Sequence, residues 1–436
     1  MILASVVLVN PSIPDGKPYE AVCPLNLLCL AASVRAFLGI VPRIIDLALT
    51  CGETAPLTAA LAAGPAVVGI GTMTVTVPET IRLARLVKTV SPDSVVVVGG
   101  VHATIAPQDL IGDPAVDYVV KGESDRSFPM LVEAILAGRP PSDIPGLVTR
   151  DREANLVAIP VETHLDSLPF PAFDLIDLGT YEQSVAIVSS RGCPHDCVYC
   201  SASEISGRNW RAFSTARLID DLERLVNDFG VSRISFSDDI FTLNAKRVKE
   251  ICRAIHTRGL IFEWSCLARP DHADVGLLQT MREAGCRRVY FGAESGIEKN
   301  LSFAGRRYAS EVITKAVSNA GAAGISEVVT SFIVGFPDDS PEDIRKTLRF
   351  ADGLESFIQV HALTPFPGTP FARNLARFGV RLEETDYELY NCQRAVISTK
   401  SLGVDALRAL LAEGLLLCYD HNRARSTAPR SGAAPC

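Results

Sequence analysis

Two kinds of hydrophobic pattern alternate along this chain. Short, continuously apolar, β-branched runs are followed by stretches in which apolar residues recur every three or four positions. In the first third the short runs are Ser5–Asn10, Arg43–Leu47, Ala66–Thr72, Ser94–Gly100 and Tyr118–Gly122. Runs without polar alternation read as parallel strands covered on both faces. Between them, Leu27, Leu28, Ala31, Val34 and Leu38 share one helical face. Ile81, Ala84, Val87 and Val90 mark a second helix, and Met130, Leu131, Ala134 and Ile135 a third. Strands alternating with helices predict an α/β, doubly wound, Rossmann-like domain over residues 1–140. Its ligand crevice should lie at the strand C-terminal ends, where Asn10, Thr72, Gly99, Gly100, His102, Gly122 and Glu123 fall.

Residues 141–182 lose the alternation. Arg139-Pro-Pro141 and Leu168-Pro-Phe-Pro-Ala172 punctuate the chain, and no helical period persists. This is read as a linker. From residue 183 the alternation resumes, with strands expected at Val185–Ser190, Ile234–Asp238, Phe262–Ala268, Arg288–Glu294, Val328–Gly335 and Phe357–Pro365. Helices are marked by Leu218, Leu222, Leu225, Val226 and Phe229, by Val248, Ile251, Cys252 and Ile255, and by Val312, Ala316, Val317 and Ala320. Six βα units fall short of the eight of a closed TIM barrel and predict a partial (βα)6 barrel over 183–370. Residues 371–436 read as a short extension with one helix, Asp405–Leu417, and a disordered tail from Arg423.

Composition narrows the class. The 436 residues are 47% hydrophobic and 21% charged, as in a globular protein of two or three domains. A net charge of −8 without basic blocks argues against nucleic-acid binding. The apolar N-terminus lacks a basic leader and is ended by Pro11, so it reads as a first core strand. No apolar run is long enough to span a membrane. These features predict a cytoplasmic, reduced protein.

Three of the twelve cysteines stand together, Cys193, Cys197 and Cys200, at spacing C-x3-C-x2-C just after a strand-like run. Three thiolates serve three irons of a [4Fe–4S] cube, which normally takes four cysteines, and leave one iron for a non-protein ligand. Cys252 and Cys286 lie in apolar patterns and read as core. Aromatic Phe262, Trp264, Tyr290 and Phe291 read as barrel core. His195, between two of the clustered cysteines, reads as solvent facing.

The order of motifs at the strand ends resembles the radical SAM enzymes that carry an N-terminal cobalamin-binding-type domain. Cys193, Cys197 and Cys200 match the cluster signature, with Tyr199 as its aromatic, which the resemblance sets against the SAM adenine. Ser237-Asp238-Asp239, Gly292-Ala-Glu294-Ser295, Gly335-Phe-Pro337 and Thr364-Pro-Phe-Pro-Gly-Thr-Pro370 match segments at later strand ends. The resemblance implies SAM contacts from Tyr199, Ser237, Asp238, Gly292, Glu294, Ser295 and Gly335. It implies cobalamin contacts from Asn10, Thr72, Gly99, Gly100, His102, Gly122 and Glu123. Two departures stand out: there is no D-x-H-x-x-G run, and Ser124 occupies a position usually glycine in Gly122-Glu-Ser-Asp125. His102 is read as a loop hydrogen-bonding residue and not as a cobalt ligand.

The activity implied is reductive cleavage of SAM to a 5′-deoxyadenosyl radical and hydrogen abstraction from a small natural-product substrate. Cobalamin-dependent C-methylation comes first. Cobalamin-independent radical dehydration of a sugar diol, as in aminoglycoside antibiotic biosynthesis, is the alternative, and an iron–sulfur electron carrier is the non-enzymatic one. The cofactors implied are a [4Fe–4S] cluster, SAM and cobalamin. The partner implied is an electron donor such as flavodoxin or ferredoxin.

Overall fold

The computed structural model describes residues 5–14, 22–151, 157–181 and 184–427. Its first sheet holds β1 (Ser5–Asn10), β2 (Arg43–Asp46), β3 (Ala66–Gly71), β4 (Val95–Gly99), β5 (Tyr118–Val120) and β6 (Leu147–Val148), ordered β2-β1-β3-β4-β5-β6. The first five are parallel, with Val7 opposite Val68 and Gly69 opposite Val97. Both faces are buried, as the unbroken apolar runs demand. Val7, Val9, Val68 and Val96 enter one core, and Val6, Leu8, Val67 and Val97 enter another. Strand order reverses between β1 and β3, which opens a crevice at their C-terminal ends.

Two details differ from the sequence reading. β6 lies beyond residue 140 and pairs antiparallel with β5, Val119 opposite Val148, so part of the proline-punctuated stretch belongs to the first sheet. Met130 is 43% exposed; the face of Ser127–Leu136 that packs is formed by Phe128, Leu131, Val132 and Ala134.

The second sheet holds β7 (Val185–Ile187), β10 (Arg233–Phe236), β11 (Glu263–Ala268), β12 (Cys286–Glu294), β13 (Glu327–Val334) and β14 (Phe357–Ala362). Between β7 and β10 lie the two strands of a small ribbon, β8 (Ser190–Arg191) and β9 (Arg211–Ala212). The six long-range neighbours are parallel and sequential, an open (βα)6 barrel. Polar caps start the returning helices: Ser214, Asn244, Asp274 and Ser340 each accept a backbone N–H from the first turn. Phe262, Trp264 and Phe291 are core, whereas Tyr290 is half-buried on the other strand face. Cys252 and Cys286 are buried.

An open barrel leaves β14 as an edge with unpaired backbone groups. The helix Val404–Thr427 covers it. Asn422 Oδ1 accepts the Ile358 N–H (2.8 Å) and its Nδ2 donates to the Ile358 carbonyl (2.9 Å), imitating a neighbouring strand. His421 and Arg425 bond the carbonyls of Ser356 and Glu355. These ties correct the expectation of disorder from Arg423: residues 423–427 are helical, and the rest of that expectation, 428–436, lies outside the described residues. Among the described residues no helix is long and apolar enough to cross a membrane.

Candidate active site

The cysteine loop is held at both stems. β8 and β9 pair antiparallel, with Ser190 opposite Ala212 and Arg191 opposite Arg211. Gly192 turns the chain at φ +87°, and a Cβ there would stand 2.5 Å from the Asn209 carbonyl, so only glycine fits. The Cys200 N–H donates to the Cys197 carbonyl at 3.1 Å, and the Phe371 N–H to the Val198 carbonyl at 2.8 Å. All three cysteines are half-buried. Burial pushes the Cys193 thiol up and the Cys200 thiol up to about 11.

The donor set fits an iron–sulfur cube. Thiolates in a partly buried loop need a compensating cation, and bound iron supplies it. Among the described residues no group of His, Cys, Asp or Glu side chains is placed to hold a single metal ion. Buried polar atoms without partners gather beside the loop: His195 Nε2, Arg269 Nη1, His272 Nδ1 and Arg306 Nε. Native interiors rarely leave such atoms unpaired, so this cluster supplies candidate partners for a polar ligand. His195 is thereby corrected from solvent facing to half-buried. Its ring lies 6.0 Å from that of His272, and burial, with the Arg269 cation next, holds its pKa down at about 4.

Tyr199 and Glu294 share one wall of a cavity of about 420 Å³ with Ser331, His361 and Thr364. A bulge in the β12–β13 ladder between Gly292 and Glu294, with Glu294 in the left-handed region at φ +65°, re-aims the carboxylate. It pairs with Arg306, which also donates to Tyr199 Oη at 3.3 Å. Gly292 leaves room for that pair; a Cβ would come within 2.7 Å of Glu294 Oε1.

A second cavity, of about 460 Å³, lies where the two sheets' C-terminal ends meet. Gly71, Gly99, Gly100, Gly122 and Glu123 line one side, and Ser190, Arg191, Ser237 and Asp239 the other. Five glycines, with Gly69 in the floor, leave a cradle that side chains would fill, which fits a large flat cofactor with a tail reaching into the sheet. Gly100, at φ +102°, is fixed by β3: its Cβ would meet Thr72 backbone at 2.8 Å.

Several expected contacts do not reach either cavity. Asp238 is buried, accepting from Ser189 N and Oγ (both 2.6 Å) and from Ser190 Oγ, near the Arg247 cation. Its neighbour Asp239 faces the cavity instead, because successive residues leaving a strand point to opposite sides. Ser295 is buried and bonds Thr347, Asn300 and the Ile297 N–H. Gly335 makes a turn closed on Asp339. Asn10 is held by Asp46 and Thr72 by Thr80. His102 is fully buried, with Nδ1 on Thr74 (3.3 Å), Nε2 on Asp109 (3.2 Å) and its ring against Tyr387. Both ring nitrogens are occupied, as a loop hydrogen-bonding residue requires and a cobalt ligand forbids.

Arg269, Arg306, Arg191 and Arg211 carry no spacing signal in the sequence, because each sits in a loop or in a two-residue ribbon strand. Removing Asp238 would leave the Ser189 N–H and the Ser190 hydroxyl buried without their acceptor and would take a compensating charge from the Arg247 cation, which keeps its hydrogen bonds to Ser189 and Phe213. Asp238→Ala should therefore cost about 3 kcal/mol of stability. An unchanged denaturation midpoint would show the network to be dispensable.

Comparison with known proteins agrees with this geometry. A radical SAM superfamily model matches residues 187–351, and a B12 binding domain model matches residues 15–132. An uncharacterized methyltransferase of Pyrococcus horikoshii is 34% identical over 357 residues, covering 79% of this chain and 77% of that protein. The hopanoid C-3 methylase of Methylococcus capsulatus is 28% identical over 336 residues, covering 74% of this chain and 62% of that protein. Among solved structures, the methyltransferase TsrM of Kitasatospora setae, with cobalamin and a [4Fe–4S] cluster bound, superposes at TM-score 0.73. It is 20% identical and covers 88% of this chain and 78% of its own. The cobalamin-dependent enzyme OxsB with aqua-cobalamin bound gives 0.79 at 17% identity, over 98% of this chain and 69% of its own. These two likenesses show the fold. By sequence, fold and motif order together, the chain belongs to the radical SAM superfamily, among the members that carry an N-terminal B12-binding domain.

Proposed function

We propose that this protein is a cobalamin-dependent radical SAM methyltransferase that methylates carbon in a small organic substrate. One observation carries the reading: the first stem of the cysteine loop, Ser190 and Arg191, lines the same cavity as Gly99, Gly100 and Gly122 of the B12-type domain. A cluster on that loop and a corrin in that cavity would be neighbours. When bound, the cluster and SAM supply a radical that abstracts hydrogen, and the corrin supplies the methyl group.

The chain's own part is position and charge. Cys193, Cys197 and Cys200 would each hold an iron. Asp239 would receive the SAM ammonium: it lines the same cavity as Ser190 and Arg191, which lead into the cluster loop. The unpaired N–H groups of Arg269 and Arg306 would take the SAM carboxylate, with Tyr199 at the adenine and Glu294 at the ribose. The first domain, with β6, would hold the corrin and residues 183–370 would cleave SAM, with the rest of 141–182 joining them and the helix Val404–Thr427 closing the barrel edge.

The relatives named as methyltransferases favour methyl transfer over radical dehydration. The described cysteines are all free thiols, which suits a cytoplasmic enzyme served by a flavodoxin- or ferredoxin-type donor. The reading is tested by giving the reduced, cobalamin-loaded protein SAM. It requires cobalamin-dependent S-adenosylhomocysteine alongside 5′-deoxyadenosine. Formation of 5′-deoxyadenosine alone, unaffected by cobalamin, would favour dehydration.

A further inference from the structure

We infer that Arg191 and Arg211 are positioning residues that set the spacing between the cysteine loop and the corrin cavity, by gripping Glu123 and Asp125 of the B12-type domain. Arg191 Nη1 and Nη2 lie 2.7 and 3.1 Å from the two Asp125 carboxylate oxygens, a bidentate fork. Its Nη1 also lies 3.3 Å from Glu123. Arg211 makes a second fork, Nη2 to Glu123 Oε1 at 2.7 Å and Nη1 to Glu123 Oε2 at 2.9 Å. The two arginines are register partners in the ribbon that frames the cysteine loop, so each stem of the loop carries one fork. All four side chains are 14% exposed or less, which keeps salt and water from loosening the pairs.

The placement makes this more than domain glue. Glu123, Asp125 and Arg191 are themselves wall residues of the cavity. Only Gly192 separates Arg191 from Cys193. A shift of the Gly122–Asp125 loop would therefore reach the first cluster ligand through two residues. Arg211 extends the grip by donating to the Ser206 carbonyl at 2.7 Å, at the end of the short helix Ala202–Ser206, whose Ala202 and Ile205 line the same cavity. Two acids and two arginines balance in charge, so losing either arginine leaves a buried carboxylate without its fork. Glu123, expected at the corrin, thus serves as an anchor for the cluster loop.

This inference rests on the methyltransferase reading only for what lies in the cavity, and its test separates the two. Amide hydrogen exchange on the full chain without cobalamin reads the grip alone. In Arg191→Met/Arg211→Met, exchange across 122–126 and 190–193 should rise at least roughly tenfold while β11–β13 stay protected. With cluster and cobalamin loaded, pulsed electron paramagnetic resonance reads the spacing between the two paramagnets. Molecules of the double variant that carry both iron and corrin should give a broadened distance distribution. The charge swap Asp125→Arg/Arg191→Asp should narrow it again, and Arg191→Lys, which keeps charge but loses the fork, should fall between. Exchange and distances equal to wild type in the double variant would overturn the inference. Failure of the wild-type protein to take cobalamin would count against the methyltransferase reading and leave the exchange result to decide the grip.

Discussion

Cys197→Ala is expected to bind no iron–sulfur cluster and to lower 5′-deoxyadenosine formation to background. A cube held by three thiolates has none to spare, since each serves a different iron and a fourth protein ligand is already missing. The middle cysteine is the informative one to remove. Its backbone carbonyl closes the Cys200 turn, and alanine keeps that bond. The stems, Gly192 and the two arginine forks are also untouched. Loss of iron with unchanged circular dichroism would thus assign the defect to the missing thiolate. A variant that retained the cluster and cleaved SAM would refute the assignment of this loop.

Gly99→Phe is expected to remove cobalamin and spare the cluster and SAM cleavage. Gly99 lines the interdomain cavity, and a Cβ there would find its nearest neighbour, the Val120 carbonyl, at 3.7 Å, an ordinary contact. The backbone is not in the left-handed region, so the first carbon is accommodated and the ring must occupy the cavity. Gly100 would be a poor choice, because even alanine there collides with Thr72. Cobalt content should fall to background, iron should be unchanged, and 5′-deoxyadenosine should still form. S-adenosylhomocysteine should be lost, because its formation needs the corrin. A Gly99→Phe protein that binds cobalamin at the wild-type ratio would locate the corrin elsewhere.

The features behind these two variants are displayed unequally in the sequence. The strands were legible because parallel strands buried on both faces leave uninterrupted β-branched runs; Ala66–Gly71 is buried at every position. The cysteine loop was legible because cluster ligation needs close spacing along the chain. The carboxylate at the end of β10 was half legible. Sequence marks Asp238 and Asp239 together, but only the turn after Phe236 decides that Asp238 is turned toward Ser189 and Asp239 toward the cavity. His102 drew attention as a histidine beside paired glycines, and its two hydrogen bonds come from residues on either side of that turn, which no local pattern reports. Arg191, Arg211 and Arg306 carry long-range information in the site. Arg211 meets Glu123 across 88 positions, and nothing periodic links such a pair. The end of the chain is illegible for the same reason: a polar helix looks unsupported until the open barrel edge that Asn422 covers is in view.

The central claim is that one chain brings a three-cysteine cluster and a corrin to a shared cavity. Anaerobic reconstitution of the wild-type protein, followed by iron and cobalamin assay on the desalted chain, tests it most directly. The account requires about four irons per chain together with equimolar cobalamin. Iron at that ratio with no retained cobalamin would contradict it.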